Sequence, residues 1–111
     1  ILTFFSNKIE SCRLNKISDV IIDPGFGFGK KINQNFTILK NLEIFQELNV
    51  PILVGLSRKS MIYKSLNIES ADALNGTSVL NTIALMKKAN ILRVHDVKEA
   101  KESIELCRKL V

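Results

Sequence analysis

Three short apolar runs in this chain each stop at residues capable of chemistry. They are Val20-Ile21-Ile22 before Asp23, Ile52-Leu53-Val54 before Gly55, Ser57 and Lys59, and Ile91-Leu92 before Arg93 and His95. Asp23, Lys59 and His95 follow one another at intervals of 36 residues. A strand, a helix and their two turns take about 30 residues or more, so this spacing sets equivalent positions at the ends of successive parallel strands. An acid, an ammonium and an imidazole are thereby predicted on one rim.

The hydrophobic period fills in the elements between. It predicts a helix to about Arg13, a strand near Val20 to Asp23, a helix near Asn35 to Leu48 and a strand near Ile52 to Gly55. There follow a short helix around Arg58 to Ser65, a longer one from about Ala71 to Ala89 whose Val79, Leu80, Ile83 and Ala84 share a face, and a strand near Ile91 to Val94. In the last helix Val97, Ala100, Ile104, Cys107 and Val111 recur at three and four residues, and Asp96 with Glu99 spells a capping pattern. Strands that are apolar almost throughout predict cover on both faces, the mark of parallel α/β sheets. Either an open doubly wound sheet or a closed (β/α)8 barrel would satisfy this, and both place function at the carboxyl ends of strands.

Ile1, Phe5, Ile9 and Cys12 already follow helical spacing with no capping residue before them. This predicts that the chain starts within a helix, as the C-terminal piece of something longer, with more βα units ahead of it to cover its sheet edges. No apolar run approaches the roughly 18 residues of a membrane span and no signal peptide is evident, which favours a cytoplasmic location. The net charge of +5 is spread among acidic residues, as in Lys98-Glu99-Ala100-Lys101-Glu102. It reads as a solvated surface, with no nucleic acid or membrane partner. Cys12 and Cys107 fall at apolar helical positions and read as free thiols.

The stretch from Asp23 to Lys31 looks like a phosphate loop but fails letter by letter. A P-loop would need glycine where Pro24 stands and Ser or Thr where Lys31 stands; a dinucleotide fingerprint would need glycine where Lys30 stands. What remains is a flexible, aromatic-bearing loop after an aspartate that closes an apolar strand. Such a carboxylate is short of partners unless backbone amides, a cation such as Lys59 or a ligand supplies them. By accepting two hydrogen bonds it would suit a flat purine-like or pterin-like heterocycle bearing adjacent N–H groups. Arg93 and His95, two residues apart, share a strand face and together suit an anion, although Arg93 could equally pair with an acid.

The segments DPGFGFGK, GLSRKSMI, LNGTSV and ILRVHDV, in this order, resemble the C-terminal half of the dihydropteroate synthase family, from Val20 to Leu110. The resemblance implies a (β/α)8 TIM barrel of which this chain carries strands six to eight with their helices. It implies an enzyme, a transferase of folate biosynthesis that joins 6-hydroxymethyl-7,8-dihydropterin pyrophosphate to p-aminobenzoate and releases pyrophosphate, with Mg2+ assisting. Carried across, Asp23 would grip the pterin and Lys59 would reach pterin and aminobenzoate. Phe28 and Ser57 would line the aminobenzoate side, Gly55 would belong to the same binding surface, and Arg93 and His95 would hold the departing pyrophosphate. Lys59, Arg93 and His95 would be the catalytic set. The metal ligand would lie upstream of Ile1, leaving the piece inactive alone, and the complete protein would be a homodimer through its last helices. Tyr63 and Leu56 depart from the family pattern, which implies an altered turn and aminobenzoate pocket. Two other readings stay open: the methyltetrahydrofolate-binding domain of a corrinoid methyltransferase, and a non-catalytic barrel remnant.

Overall fold

A computed structural model describes residues 1–27 and 29–111. Helix α1 (Leu2–Leu14) leads to a single parallel bridge between Ile22 and Ile52, and then to helix α2 (Ile32–Lys40) and a 3-10 turn (Leu42–Leu48). Strand β1 (Leu53–Val54), helix α3 (Ser60–Leu66), a 3-10 turn (Ser70–Asp72), helix α4 (Leu74–Met86), strand β2 (Ile91–Leu92) and helix α5 (Val97–Arg108) complete it. β1 and β2 pair in parallel, with Leu53 opposite Ile91 and Val54 opposite Leu92. The βα alternation of the sequence thus takes the form of consecutive parallel βα units, the repeat of a (β/α)8 barrel.

The backbone bonds carry the register from segment to segment. Leu53 N–H donates to Ile22 O at 2.8 Å, Ile91 N–H to Ile52 O at 3.1 Å and Arg93 N–H to Val54 O at 2.9 Å. The first segment is shorter than predicted, reduced to pairing around Ile22. Pro24 has no N–H to extend the ladder, and Asp23 turns its carboxylate back onto Gly25 N–H at 2.8 Å.

Burial alternates along the strands, which corrects the expectation of cover on both faces. Ile22, Ile52 and Val54 are buried beneath the helices, whereas Ile21 is 53% and Ile91 37% exposed. Successive strand residues point to opposite faces, so the covered face carries Ile22, Ile52 and Val54, and the open one carries Ile21, Leu53 and Ile91. In a closed barrel the open face is the lumen. Continuing by two residues along each segment puts Asp23, Gly55 and Arg93 on that same face.

Helix boundaries differ from the periodic reading for local reasons. The predicted helix to Leu48 breaks at Asn41, whose Nδ2 donates to Thr37 O at 3.0 Å and satisfies a carbonyl at the end of α2. α3 starts only at Ser60 because Arg58 is left-handed, with φ 53°, and it stops before Asn67, also left-handed at φ 56°. α4 starts at Leu74 rather than Ala71, because Arg58 Nη1 takes the carbonyls of Ser70 and Ala71 at 2.9 and 2.6 Å.

α4 is also turned from its expected face. Thr77, Asn81 and Ala84 are buried, while Val79 and Ile83 are exposed. Thr77 is needed on the buried face as the acceptor for Arg58 N–H. On α5 Ala100 is buried and Ile104 and Cys107 half-buried, but Val97 and Val111 lie outside the packed stripe. Both cysteines are free thiols. No helix of the described residues is long and apolar enough to cross a membrane.

Described residues of the loop after Ile22 are tied to the rest of the chain at several points. Phe26 is fully buried in the core beside Ile22, Leu42, Phe45 and Met61, and Gly27 N–H donates to the buried Asn35 Oδ1 at 3.0 Å. Lys30 Nζ donates to Gly25 O at 3.1 Å. Phe26→Ala in the whole protein is therefore expected to cost about 3–5 kcal/mol and Phe26→Leu about 1 kcal/mol. Urea unfolding midpoints unchanged by Phe26→Ala would contradict this packing.

Candidate active site

Because the strands are parallel and in register, Gly55 is followed across the rim by Arg93 and Ser57 by His95. The guanidinium lies over Gly55 so closely that a Cβ there would meet Arg93 Nη2 at 2.5 Å. Gly55 is thus small because its neighbour's side chain crosses it. Passing over Gly55, Arg93 reaches Asp23, with Nη1 3.1 Å from Oδ2. The direct partner of the Asp23 carboxylate is therefore Arg93, seventy residues away in the chain, where the sequence had suggested Lys59. Asp23 also accepts from Gly25 N–H, so its two oxygens serve a cation and the turn.

Lys59 stands beside this pair. Its Nζ donates to Phe26 O at 2.6 Å, and its stem lies against Gly27, where a Cβ would come within 3.2 Å of Cδ. Gly27 has φ +90°, so both backbone conformation and the passing lysine require glycine. Desolvation holds the Lys59 ammonium below the ordinary lysine range; the nearby charge of Arg93 adds to this and Asp23 opposes it. A lysine that feels both Arg93 and Asp23 belongs to the same cluster.

His95 sits one step further along. Its backbone N–H donates to Ser57 Oγ at 3.2 Å, and its Nδ1 is 2.8 Å from the same oxygen. Ser57 is only 5% exposed, so its hydroxyl is turned toward His95. Leu56 is fully buried in the core and Tyr63 packs against it; Leu56 therefore does not shape the rim, contrary to the expectation from its departure.

A four-point anchor at Arg58 holds the two loops together. Its Nε and Nη2 reach Asp96 Oδ2 and Oδ1 at 2.9 and 3.0 Å, its Nη1 takes the Ser70 and Ala71 carbonyls, and its backbone N–H donates to Thr77 Oγ1 at 3.0 Å. Asp96 opens α5 without a side-chain capping bond, which corrects the capping pattern read from Asp96 and Glu99. A bidentate guanidinium outcompetes a backbone amide for the carboxylate. Hydrogen bonding to Asp96 raises the Arg58 pKa and, reciprocally, hydrogen bonding to Arg58 lowers that of Asp96.

With this geometry in hand, the comparisons are decisive. The model of the family described as "Pterin binding enzyme" matches residues 1–95. The chain belongs to this family of pterin binding enzymes. It is 42% identical over 105 residues to the dihydropteroate synthase of Escherichia coli (strain K12), an alignment covering 93% of this chain and 37% of the relative. The Yersinia pestis dihydropteroate synthase structure superposes with a TM-score of 0.93 at 38% identity, covering 97% of this chain and 52% of that one. The Thermus thermophilus dihydropteroate synthase, solved in complex with 4-aminobenzoate, gives a TM-score of 0.92 at 33% identity, covering 98% of this chain and 44% of that one. The chain thus spans 37% of the length of its Escherichia coli relative.

Within this family member, Asp23, Gly55, Lys59 and Arg93 come together, with Ser57 and His95 adjoining. Phe28 lies outside the described residues. Three contributors were missed in the sequence: Asn35, which accepts from Gly27 N–H, Thr77, which accepts from Arg58 N–H, and Asp96 as the partner of Arg58. For Asn35 and Thr77 the sequence signal is a polar residue within a helix; for Asp96 it is an acid at a helix start, which reads locally as a cap. For a metal ion the fit is poor. Among the described residues no three His, Cys, Asp or Glu side chains converge, and Asp23 is already engaged by Arg93.

Two outcomes are expected. In the whole protein Gly55→Ala should leave folding within about 1 kcal/mol of the parent, since the clash falls on the end of a flexible side chain, while a crystal structure should show Arg93 swung off Asp23. An undisturbed Arg93–Asp23 pair would contradict the crossing geometry. The depressed Asp96 pKa means that its pairing stabilises fully above about pH 4 and is lost as pH falls through the folded-state value. Asp96→Asn should therefore lower the melting temperature at neutral pH, with the gap to the parent narrowing toward about pH 2; a constant gap would count against the pair.

Proposed function

We propose that the protein carrying this chain is a dihydropteroate synthase, condensing 6-hydroxymethyl-7,8-dihydropterin pyrophosphate with p-aminobenzoate to give dihydropteroate and pyrophosphate in folate biosynthesis. The observation that carries this is the Asp23–Arg93 pair at 3.1 Å with Lys59 and His95 beside it on one rim. It puts an acceptor for a flat N–H-bearing ring next to cationic and N–H groups for a diphosphate. The Thermus thermophilus relative solved with 4-aminobenzoate, and solved also with 6HMPPP, supports the same substrates.

The reaction is a problem of charge. As the C–O bond to pyrophosphate breaks, its electron pair leaves with the diphosphate and a resonance-stabilised cation remains on the pterin. Asp23 stabilises the ring's growing positive charge, and Arg93 and His95 receive the growing negative charge on the leaving group. The aminobenzoate nitrogen then supplies the electron pair of the new C–N bond and gives up a proton, whose acidity rises as the bond forms. Lys59, held low in pKa by burial and Arg93, lies between the two charges. Ser57 and Phe28 line the aminobenzoate side in this reading.

The remaining parts of the site come from residues outside these 111, which by themselves are inactive in this reading. Mg2+ is included as an ion held elsewhere, and no step above runs through it. The reading includes a cytoplasmic homodimer through the last helices, supported by the exposed apolar Val79 and Met86 of α4 and Leu106 of α5. A corrinoid methyltransferase domain fits less well, because methyl transfer has no diphosphate for Arg93 and His95 to receive.

In the whole protein, Lys59→Ala and Arg93→Ala should each lower turnover at least about tenfold, roughly 1.4 kcal/mol in the barrier, with melting little changed. Rates near the parent's for both variants would refute the assignment.

A further inference from the structure

We propose that Ser57 is a positioning residue that holds His95 as the Nε2–H tautomer, so that the imidazole presents a hydrogen-bond donor to an anion on the rim. Ser57 Oγ accepts the His95 backbone N–H at 3.2 Å, and His95 Nδ1 lies 2.8 Å from the same oxygen. A hydroxyl has one proton to give. Ser57 is 5% exposed, and among the described residues His95 Nδ1 is the acceptor within reach. If Nδ1 carried a proton, two donors would meet on one oxygen and the buried hydroxyl proton would have no acceptor, a cost that folding avoids. Ser57 therefore donates to Nδ1, and the ring proton resides on Nε2.

Asp96 next in the chain does not compete for that proton. Both of its oxygens are taken by Arg58, at 2.9 and 3.0 Å. His95 is exposed, which leaves the Nε2 edge, opposite the Ser57 contact, open to a ligand. The alternative tautomer would turn a lone pair toward an anion and repel it. With Lys59 and Arg93 supplying charge, His95 supplies direction. The proposal rests on the reading above in which His95 meets a diphosphate, but the tautomer itself can be tested without activity.

The test uses the whole protein with imidazole nitrogens labelled with 15N, at about pH 8, above the range in which histidine ordinarily takes a second proton. Two-bond proton–nitrogen correlations report the tautomer, and the His95 signals are assigned by their loss in His95→Gln. The parent is expected to show Nε2–H alone. Ser57→Ala is expected to show both tautomers and to bind inorganic pyrophosphate about threefold to tenfold more weakly, the worth of one misdirected hydrogen bond. A parent protein with the proton on Nδ1, or a Ser57→Ala protein with the tautomer unchanged, overturns the proposal. The parent measurement does not depend on Ser57→Ala and so decides even if that variant does not fold. A parent with Nε2–H that binds no pyrophosphate upholds the Ser57–His95 arrangement and removes the diphosphate reading instead.

Discussion

The site depends on Arg58 joining two strand-end loops. One loop carries Ser57 and Lys59 and the other carries Arg93 and His95, and the strands beneath them pair over only a few residues. Two hydrogen bonds to Asp96 tie the β1 loop to the start of α5, and two more to Ser70 and Ala71 tie it to the turn before α4. This requires Arg58 to adopt φ 53°, a conformation that costs a side chain with a Cβ and persists only where the surroundings over-determine it. Here they do, because Thr77 takes the backbone N–H while the guanidinium is fully engaged. Arg58 thereby sets the distance between the loop of Ser57 and Lys59 and the loop of Arg93 and His95.

The unequal faces of the sheet explain where the chemistry goes. Ile22, Ile52 and Val54 are pinned under helices and fix the height of each strand, while Ile21, Leu53 and Ile91 look toward the lumen. Asp23, Gly55 and Arg93 are the next residues on the lumen side, Asp23 and Gly55 each after a buried neighbour and Arg93 after the partly buried Leu92. A one-residue slip would exchange the two sets, burying an aspartate and an arginine beneath helices at a cost of several kcal/mol per charge. Packing of the covered face therefore enforces the register that builds the rim.

Strand-end residues were legible in the sequence because period and spacing are properties of the chain itself. Asp23, Lys59 and His95 at equal intervals pointed to one rim, but Ile22 pairs with Ile52 and Leu53 with Ile91, so the three are not equivalent strand positions and the equal spacing does not measure the register. The alternation of Arg93 with His95 pointed to one face. Partnerships were less legible. Asp23 could have met Lys59 or Arg93, and only the crossing of Arg93 over Gly55 decides for Arg93. Asp96 had the local pattern of a helix cap, yet a bidentate guanidinium 38 residues away takes both oxygens. Local patterns lose wherever a stronger long-range partner exists, and sequence periodicity contains no term for that competition. The same holds for α4, where the most apolar stripe, with Val79 and Ile83, yields to the stripe with Thr77 and Asn81, because the loop at Arg58 needs an acceptor.

A common device underlies the rim. At each step across it, a small residue on β1's extension faces a large nitrogen-bearing residue on β2's extension: Gly55 faces Arg93, and Ser57 faces His95. Gly55 gives space, so Arg93 crosses to Asp23 and couples the first segment to the third. Ser57 gives a hydrogen bond, so His95 is stopped short and turned outward. The β1-side residues differ by a hydroxymethyl group and the β2-side residues by reach, so Arg93 extends to Asp23 while His95 is held at the edge by Ser57. The middle strand thus controls the orientation of its neighbours' functional groups, and a larger residue at Gly55 would displace the Arg93 guanidinium itself.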